Sequence, residues 1–181
     1  PESKRKLTND TIFSGIDIAF LAIPTADDGI TAYNYINSYL DEGIPVVTCE
    51  KGAMANFYDQ LEDRLDLVGY SATVGGGSRL LNFLKDQKSD KIKSVHAVIN
   101  GTLNYIMDEL AQKKALEEVV YAAKALGYAE PGEGDPLDII NGEVTRDIPM
   151  KTAILCNVGG FGRVKSSEFP ADPLDNDDLK R

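Results

Sequence analysis

Histidine is almost missing: the 181 residues contain one, His96. A His-based triad or a His-rich metal site is thereby excluded, and acid–base chemistry falls to Lys, Asp, Glu or Tyr. Cysteine is scarce as well. Cys49 and Cys156 stand in apolar stretches of sequence and are too few for a disulfide framework, so both are expected to be reduced, in a cytoplasmic protein. No apolar run approaches the roughly 20 residues that cross a bilayer, and the opening "PESKRKLTND" has no apolar signal-peptide core. Positive charge is outnumbered, with a formal net charge of −10. Such a chain repels phosphate backbones, which speaks against nucleic acid as a partner. A G-x-G-x-x-G dinucleotide fingerprint is absent too: aligning Gly75 and Gly77 with its first two glycines puts Leu80 at the third. "GGGS" also lacks the lysine of a P-loop, so a phosphate cradle is not expected there.

What is present is a chain with 43% apolar residues, ample for a core. "IDIAFLAI" (16–23) reads as a strand buried on both faces and ended by Pro24 and Thr25. Residues 27–42 place Ile30, Tyr33, Ile36 and Leu40 at helical spacing, with Gly43 closing the helix. "IPVVTC" follows as a second strand. The three form a βαβ unit with parallel, neighbouring strands. Residues 53–65 read as helix, and "LVGYSATV" (67–74) as a strand leading into the turn Gly75–Gly77. Helices are expected over 79–88, 102–113, 115–126 and 148–158. "KIKSVHAVI" alternates as a strand with His96 in a structural place. Segment 128–142, rich in Gly, Pro, Asp and Glu, reads as loop, and 163–181 as a poorly ordered acidic tail.

The chemistry in these residues is sparse but placed. Lys51 follows a strand at its carboxyl end, where ligands of open α/β sheets bind. Asn100, Gly101 and Thr102 stand where a strand meets a helix; amides there attract a carboxylate, and plain capping is the alternative. Asp147 precedes Lys151 by four residues, which is also the spacing of an ordinary surface ion pair. Pro149 between them belongs in a first helical turn, which makes Asp147 an expected N-cap. The glycine turn is either a bend needing free φ or a set of backbone oxygens for a small ion or substrate group.

Five segments in order, "VVTCEKGAMA", "YSATVGGGSRLL", "VINGTLNYIMDEL", "AAKALGYAEP" and "RDIPMKTAIL", resemble the homoserine dehydrogenases across residues 16 to 160. The resemblance implies an α/β and α+β fold: a partial Rossmann-type parallel sheet (1–66) joined to a mixed-sheet substrate domain with helices on one face (67–162), then the acidic tail. It implies a homodimer, NAD or NADP as cofactor, and interconversion of homoserine with aspartate semialdehyde. Lys151 is implied as general acid–base, as a partly dry lysine, with Asp147 beside it and Lys51 against substrate and cofactor. Pro24, Thr25 and Gly127 are implied at the cofactor. Asn100, Gly101, Thr102, Tyr128, Glu130 and one of Asp138 or Asp135 are implied at the substrate. A monovalent cation is implied on the carbonyls of Val74, Gly76 and Ser78, although the family's upstream glutamate is Ser71 here. Glu50 stands in place of a usual Asn, and the 131–146 loop is longer than usual. Those departures leave room for a non-catalytic amino-acid-binding domain on the same fold, or for a related dehydrogenase with another substrate.

Overall fold

The computed structural model describes residues 13–87, 93–128, 135–175 and 177–180. Glu130 lies outside the described residues. The chain divides into two compact units, one ending at Leu80 and the next beginning at Leu81.

The first unit carries a parallel three-stranded sheet in the order β1-β2-β3, with β1 at Ala19–Leu21, β2 at Val46–Thr48 and β3 at Val68–Gly69. Ala19 pairs with Val46 and Val46 with Val68. Helix α1 (Ile30–Asp41) makes the first crossover and buries Ala32, Ile36 and Leu40, a stripe at four-residue spacing. Gly43 closes it at φ +72°, a conformation that suits a residue without Cβ. Helices α2 (Lys51–Asn56) and α3 (Tyr58–Leu61) make the second crossover, broken at Phe57. The βαβ expectation holds. The strand expected over 67–74 shrinks to two residues because Thr73 turns the chain: its N–H and its Oγ1 both donate to Tyr70 O, at 3.0 and 2.8 Å. Since β3 pairs with β2, the first unit extends past the expected boundary at 66/67.

The second unit is helical. Helix α4 (Leu80–Asp86) begins at the division. Helix α5 (Gly101–Ala111) and helix α6 (Leu116–Ala125) pack Leu103 and Ile106 against Val119, Val120 and Ala123. Gly127 at φ +74° ends α6, with Tyr128 N–H reaching back to Ala123 O at 2.9 Å. Helix α7 (Pro136–Gly142), a five-residue π-turn (Glu143–Asp147) and helix α8 (Ile148–Gly159) then run on without leaving helical φ/ψ at Glu143, Asp147 or Ile148.

Four expectations change here. The loop reading of 128–142 fails from residue 135 onward: Asp135 caps α7 by accepting Leu137 N–H at 2.8 Å, and Pro136 occupies its first turn. Asp147 is not an N-cap, because its backbone is helical and it makes no capping bond. The π-turn explains how Pro149 is accommodated. Proline's ring crowds the carbonyl four residues back, and the wider turn, closed by Ile148 N–H on Glu143 O, opens the backbone just there. The tail beyond 163 is not loose where it is described. Asn141 donates to Leu174 O at 3.0 Å and accepts Leu174 N–H at 2.7 Å, while Leu174 and Leu179 pack on the helical core. Finally, residues 93–99 pair with no strand among the described residues, so the mixed sheet of the second domain has no described ladder. His96 is exposed, not held in a sheet, and Val98 is 81% exposed. A strand takes its hydrogen bonds from a neighbour, and none is described for this one.

Among the described residues no helix is long and apolar enough to cross a membrane.

Candidate active site

In the first unit, the carboxyl ends of β1 and β2 lie at one edge because the strands are parallel. β1 delivers Pro24 and Thr25; β2 delivers Glu50 and Lys51. Glu50 is 2% exposed and caps α2. Its Oε1 accepts Gly52 N–H at 2.7 Å and the Thr25 hydroxyl at 2.5 Å, and its Oε2 accepts Ala53 N–H at 2.8 Å. Thr48 Oγ1 ties the same edge together, accepting Glu50 N–H at 3.0 Å and donating to Leu21 O at 3.1 Å. Glu50 therefore spends its charge on helix amides and a hydroxyl, and sequence reasoning, which read it only as an altered local charge, missed this. The signal was present: an acid directly before "KGAMAN" is an N-cap pattern. Lys51 is half-buried as the first residue of α2. Replacing Glu50 by Ala removes three hydrogen bonds to a buried carboxylate and is expected to destabilise the unit by about 2–4 kcal/mol. Glu50→Gln retains an acceptor and is expected to lose about half as much; urea unfolding of the two variants checks the order.

The glycine turn belongs to the first unit. Gly75 (φ +77°), Gly76 (φ +52°) and Arg79 (φ +58°) are left-handed, and Ser78 N–H closes the turn on Gly75 O at 3.0 Å. Among the described residues no group of three His, Cys, Asp or Glu side chains gathers as a metal site. With Ser71 in place of an acid, the Val74, Gly76 and Ser78 carbonyls are neutral donors, a poor set for a hard cation.

The second unit holds the lysine. Lys151 and Asp147 form an i,i+4 ion pair across the π-turn boundary, Nζ to Oδ2 at 2.6 Å, with side chains 16% and 11% exposed. Lys151 Nζ also donates to Ile99 O at 2.8 Å. An ammonium has three N–H donors, and among the described residues one is left for a ligand. Asn100, 5% exposed, is the hub. Its Oδ1 accepts Leu103 N–H at 2.7 Å and caps α5. Its Nδ2 donates to Asp147 Oδ2 at 2.8 Å and to Glu143 Oε2 at 2.5 Å. Asn100 thus reaches Asp147, the partner of Lys151, and its amide hydrogens are committed to protein carboxylates. Glu143 was missed; Glu143, Asp147 and Lys151 repeat at four-residue spacing, and that was the available signal.

Thr102 is buried and its hydroxyl donates to Tyr128 O, while the Tyr128 ring tilts against Tyr105 with centroids 5.1 Å apart. Gly101 opens α5 beside them. Among the described residues nothing lies within 4 Å of a Cβ placed on Gly127. Asp138 is exposed in the first turn of α7, whereas the Asp135 carboxylate serves as the cap. Both cysteines are free: Cys49 is exposed despite its apolar neighbours in sequence, and burial pushes the Cys156 thiol pKa up.

A family model described as homoserine dehydrogenase matches residues 80–178. The homoserine dehydrogenase of Saccharomyces cerevisiae is 28% identical over 162 residues, covering 82% of this chain and 44% of that protein. That of Synechocystis is 33% identical over 135 residues, covering 71% of this chain and 30% of that protein. A bifunctional aspartokinase/homoserine dehydrogenase of Zea mays is 31% identical over 165 residues, covering 86% of this chain and 17% of that protein. The chain therefore spans less than half the length of these relatives. Among solved structures, a hyperthermophilic archaeal homoserine dehydrogenase in complex with NADPH aligns at TM-score 0.61 with 29% identity, over 77% of this chain and 43% of that one. The enzyme from Thermoplasma acidophilum aligns at TM-score 0.64 with 25% identity, over 91% of this chain and 52% of that one. With a family match across more than half its residues and the ordered motifs behind it, the chain belongs to the homoserine dehydrogenase family.

Proposed function

We propose that the protein to which this chain belongs interconverts L-homoserine and L-aspartate 4-semialdehyde with NAD or NADP. The observation that carries the reading is Lys151: an ammonium largely withdrawn from solvent, fixed by a carboxylate and a carbonyl, with one N–H direction left over among the described residues. The sheet edge of the first unit suits the nicotinamide end of a dinucleotide, since Pro24, Thr25 and Lys51 follow the carboxyl ends of two parallel strands. No dinucleotide phosphate turn occurs in these 181 residues.

The nicotinamide, when bound, supplies or accepts the hydride at C4 of the amino acid. The chain's own residues handle the proton. In reduction of the aldehyde, Lys151 gives a proton from Nζ to the carbonyl oxygen as C4 is reduced, so the product oxygen leaves as a hydroxyl; the amine then regains a proton from water. In oxidation Lys151 takes that hydroxyl proton. Asp147 keeps the nitrogen aimed in both protonation states. Gly101 and Thr102, at the amino end of α5, serve the substrate carboxylate. Tyr128 and Glu130 serve the amino end, with Asp138 as the second acid. No step passes through a cation. The rival reading of a sensor domain loses one support, because Glu50 is a buried cap and does not put an extra charge into a ligand site.

Homoserine-dependent reduction of NAD or NADP by the full-length natural protein is the expected result. Its complete absence with both nucleotides, in a folded preparation, would overturn the reading. The 181 residues alone are expected to show no turnover; measurable reduction of aspartate semialdehyde by them would contradict that.

A further inference from the structure

We infer that Glu143 is a positioning residue that acts on Lys151 through the Asn100 amide; this rests on the reaction proposed above. Lys151 Nζ has two anchors, Asp147 Oδ2 and Ile99 O, at 2.6 and 2.8 Å. Both depend on Asn100. Asp147 Oδ2 is held by Asn100 Nδ2 at 2.8 Å, and Ile99 is joined to Asn100 by a peptide bond. Whatever fixes the Asn100 side chain therefore fixes the direction of the remaining lysine N–H.

A primary amide is planar and has two donors and one oxygen. Leu103 N–H requires the oxygen to face α5, so the nitrogen must face the π-turn. One hydrogen goes to Asp147 and the other to Glu143 Oε2 at 2.5 Å. With all three positions taken, the amide plane has no freedom left. Asn100 is 5% exposed, so water does not readily replace a lost partner. The π-turn places Glu143 and Asp147 toward one amide nitrogen at once, and its wider turn is a device found often at functional sites. Two carboxylates meet at one amide nitrogen, and Asn100 holds them together against their repulsion. Removing Glu143 lets the amide pivot about its bond to Leu103, and Asp147 then no longer holds Lys151 in one direction.

The test uses Glu143→Ala, Glu143→Gln and Asn100→Asp in the full-length protein. Misplacement of a catalytic group by about 1 Å can cost up to about 10²-fold. Glu143→Ala is expected to lower kcat about tenfold with KM for homoserine unchanged. Glu143→Gln, whose carbonyl still accepts the Asn100 N–H, should recover most of that loss. Asn100→Asp, which keeps the cap oxygen but has no N–H, should fall at least as far as the alanine variant. A second readout does not need turnover: competitive acylation of lysines with acetic anhydride, read by peptide mass spectrometry. Lys151 should react faster in Glu143→Ala than in the parent, with Lys85 and Lys124 unchanged. If the parent protein shows no homoserine turnover, the reaction is wrong and the acylation contrast still decides the positioning role. The inference is overturned if Glu143→Ala keeps the parent kcat and Lys151 reactivity, if only KM rises, or if the glutamine variant falls as far as the alanine one.

Discussion

Lys151→Met is expected to lower kcat for homoserine oxidation by the full-length protein about 10²- to 10⁴-fold, the usual worth of a positioned acid–base group. Methionine keeps an unbranched stem of similar reach, so the packing of the long side chain along α8 is largely retained. What disappears is the ammonium beside Asp147 and below Ile99 O. Asp147 then keeps Asn100 as a donor and loses its cation. A partly exposed pair of this kind costs about 1–3 kcal/mol when one member is removed, below the fully buried case. The variant should therefore melt a few degrees lower and still bind nucleotide as the parent does. Lys151→Arg should not rescue it, because guanidinium does not release a proton near neutral pH and its planar fork does not match two partners, Asp147 Oδ2 and Ile99 O, gathered on one nitrogen. Steady-state kinetics with a nucleotide-binding control separates these effects. A methionine variant within tenfold of the parent would remove Lys151 from the chemistry.

The first unit is largely legible in the sequence, and the reasons are local. "IDIAFLAI" and "IPVVTC" are β-branched runs separated by a helix-length stripe, and a βαβ unit follows from that pattern alone. Gly43 and Gly127 sit where a left-handed closing residue is needed, and both have positive φ. Lys151, Asp147 and Asn100 were found by motif, and they do meet. Much of the rest depends on tertiary context. A run such as 93–99 alternates like a strand, but alternation does not create a neighbour to pair with. Segment 135–147 has the Gly, Pro and acid content of a loop, yet Asp135 and Pro136 are a helix start whose meaning was outweighed by composition. The π-turn has no sequence signature in a single chain. It also explains how Asp147 stays helical with Pro149 two residues on: a proline inside a continuous helix is rare unless the backbone widens ahead of it. Glu143, one turn before Asp147, was the part of the site that spacing alone could have yielded.

Gly29→Ala is expected to abolish cooperative unfolding of the first unit. Gly29 stands at φ +94°, at the amino end of α1, and touches Gly52 in the first turn of α2. A Cβ there would lie 2.1 Å from Gly52 C, 2.3 Å from Ala53 N and 2.6 Å from Gly52 Cα. Those are backbone atoms, and they cannot swing aside as a side chain end can. The left-handed conformation alone costs about 1–2 kcal/mol for alanine. The overlap must be relieved by moving α1 or α2, which places the change among the rare substitutions above about 4 kcal/mol. Gly43→Ala isolates the conformational part. Gly43 has φ +72°, and among the described residues nothing lies within 4 Å of a built Cβ, so it should lose only about 1–2 kcal/mol. Thermal melts of the two variants decide the matter: if Gly29→Ala is no less stable than Gly43→Ala, the helix contact is not as tight as the geometry shows. The consequence reaches the sheet edge. Gly52 and Ala53 are the residues whose N–H groups Glu50 accepts, so separating Gly29 from Gly52 also pulls the cap apart and displaces Lys51, the first residue of that helix. The small residue at position 29 is therefore needed by the fold and, through α2, by the placement of the lysine at the carboxyl edge.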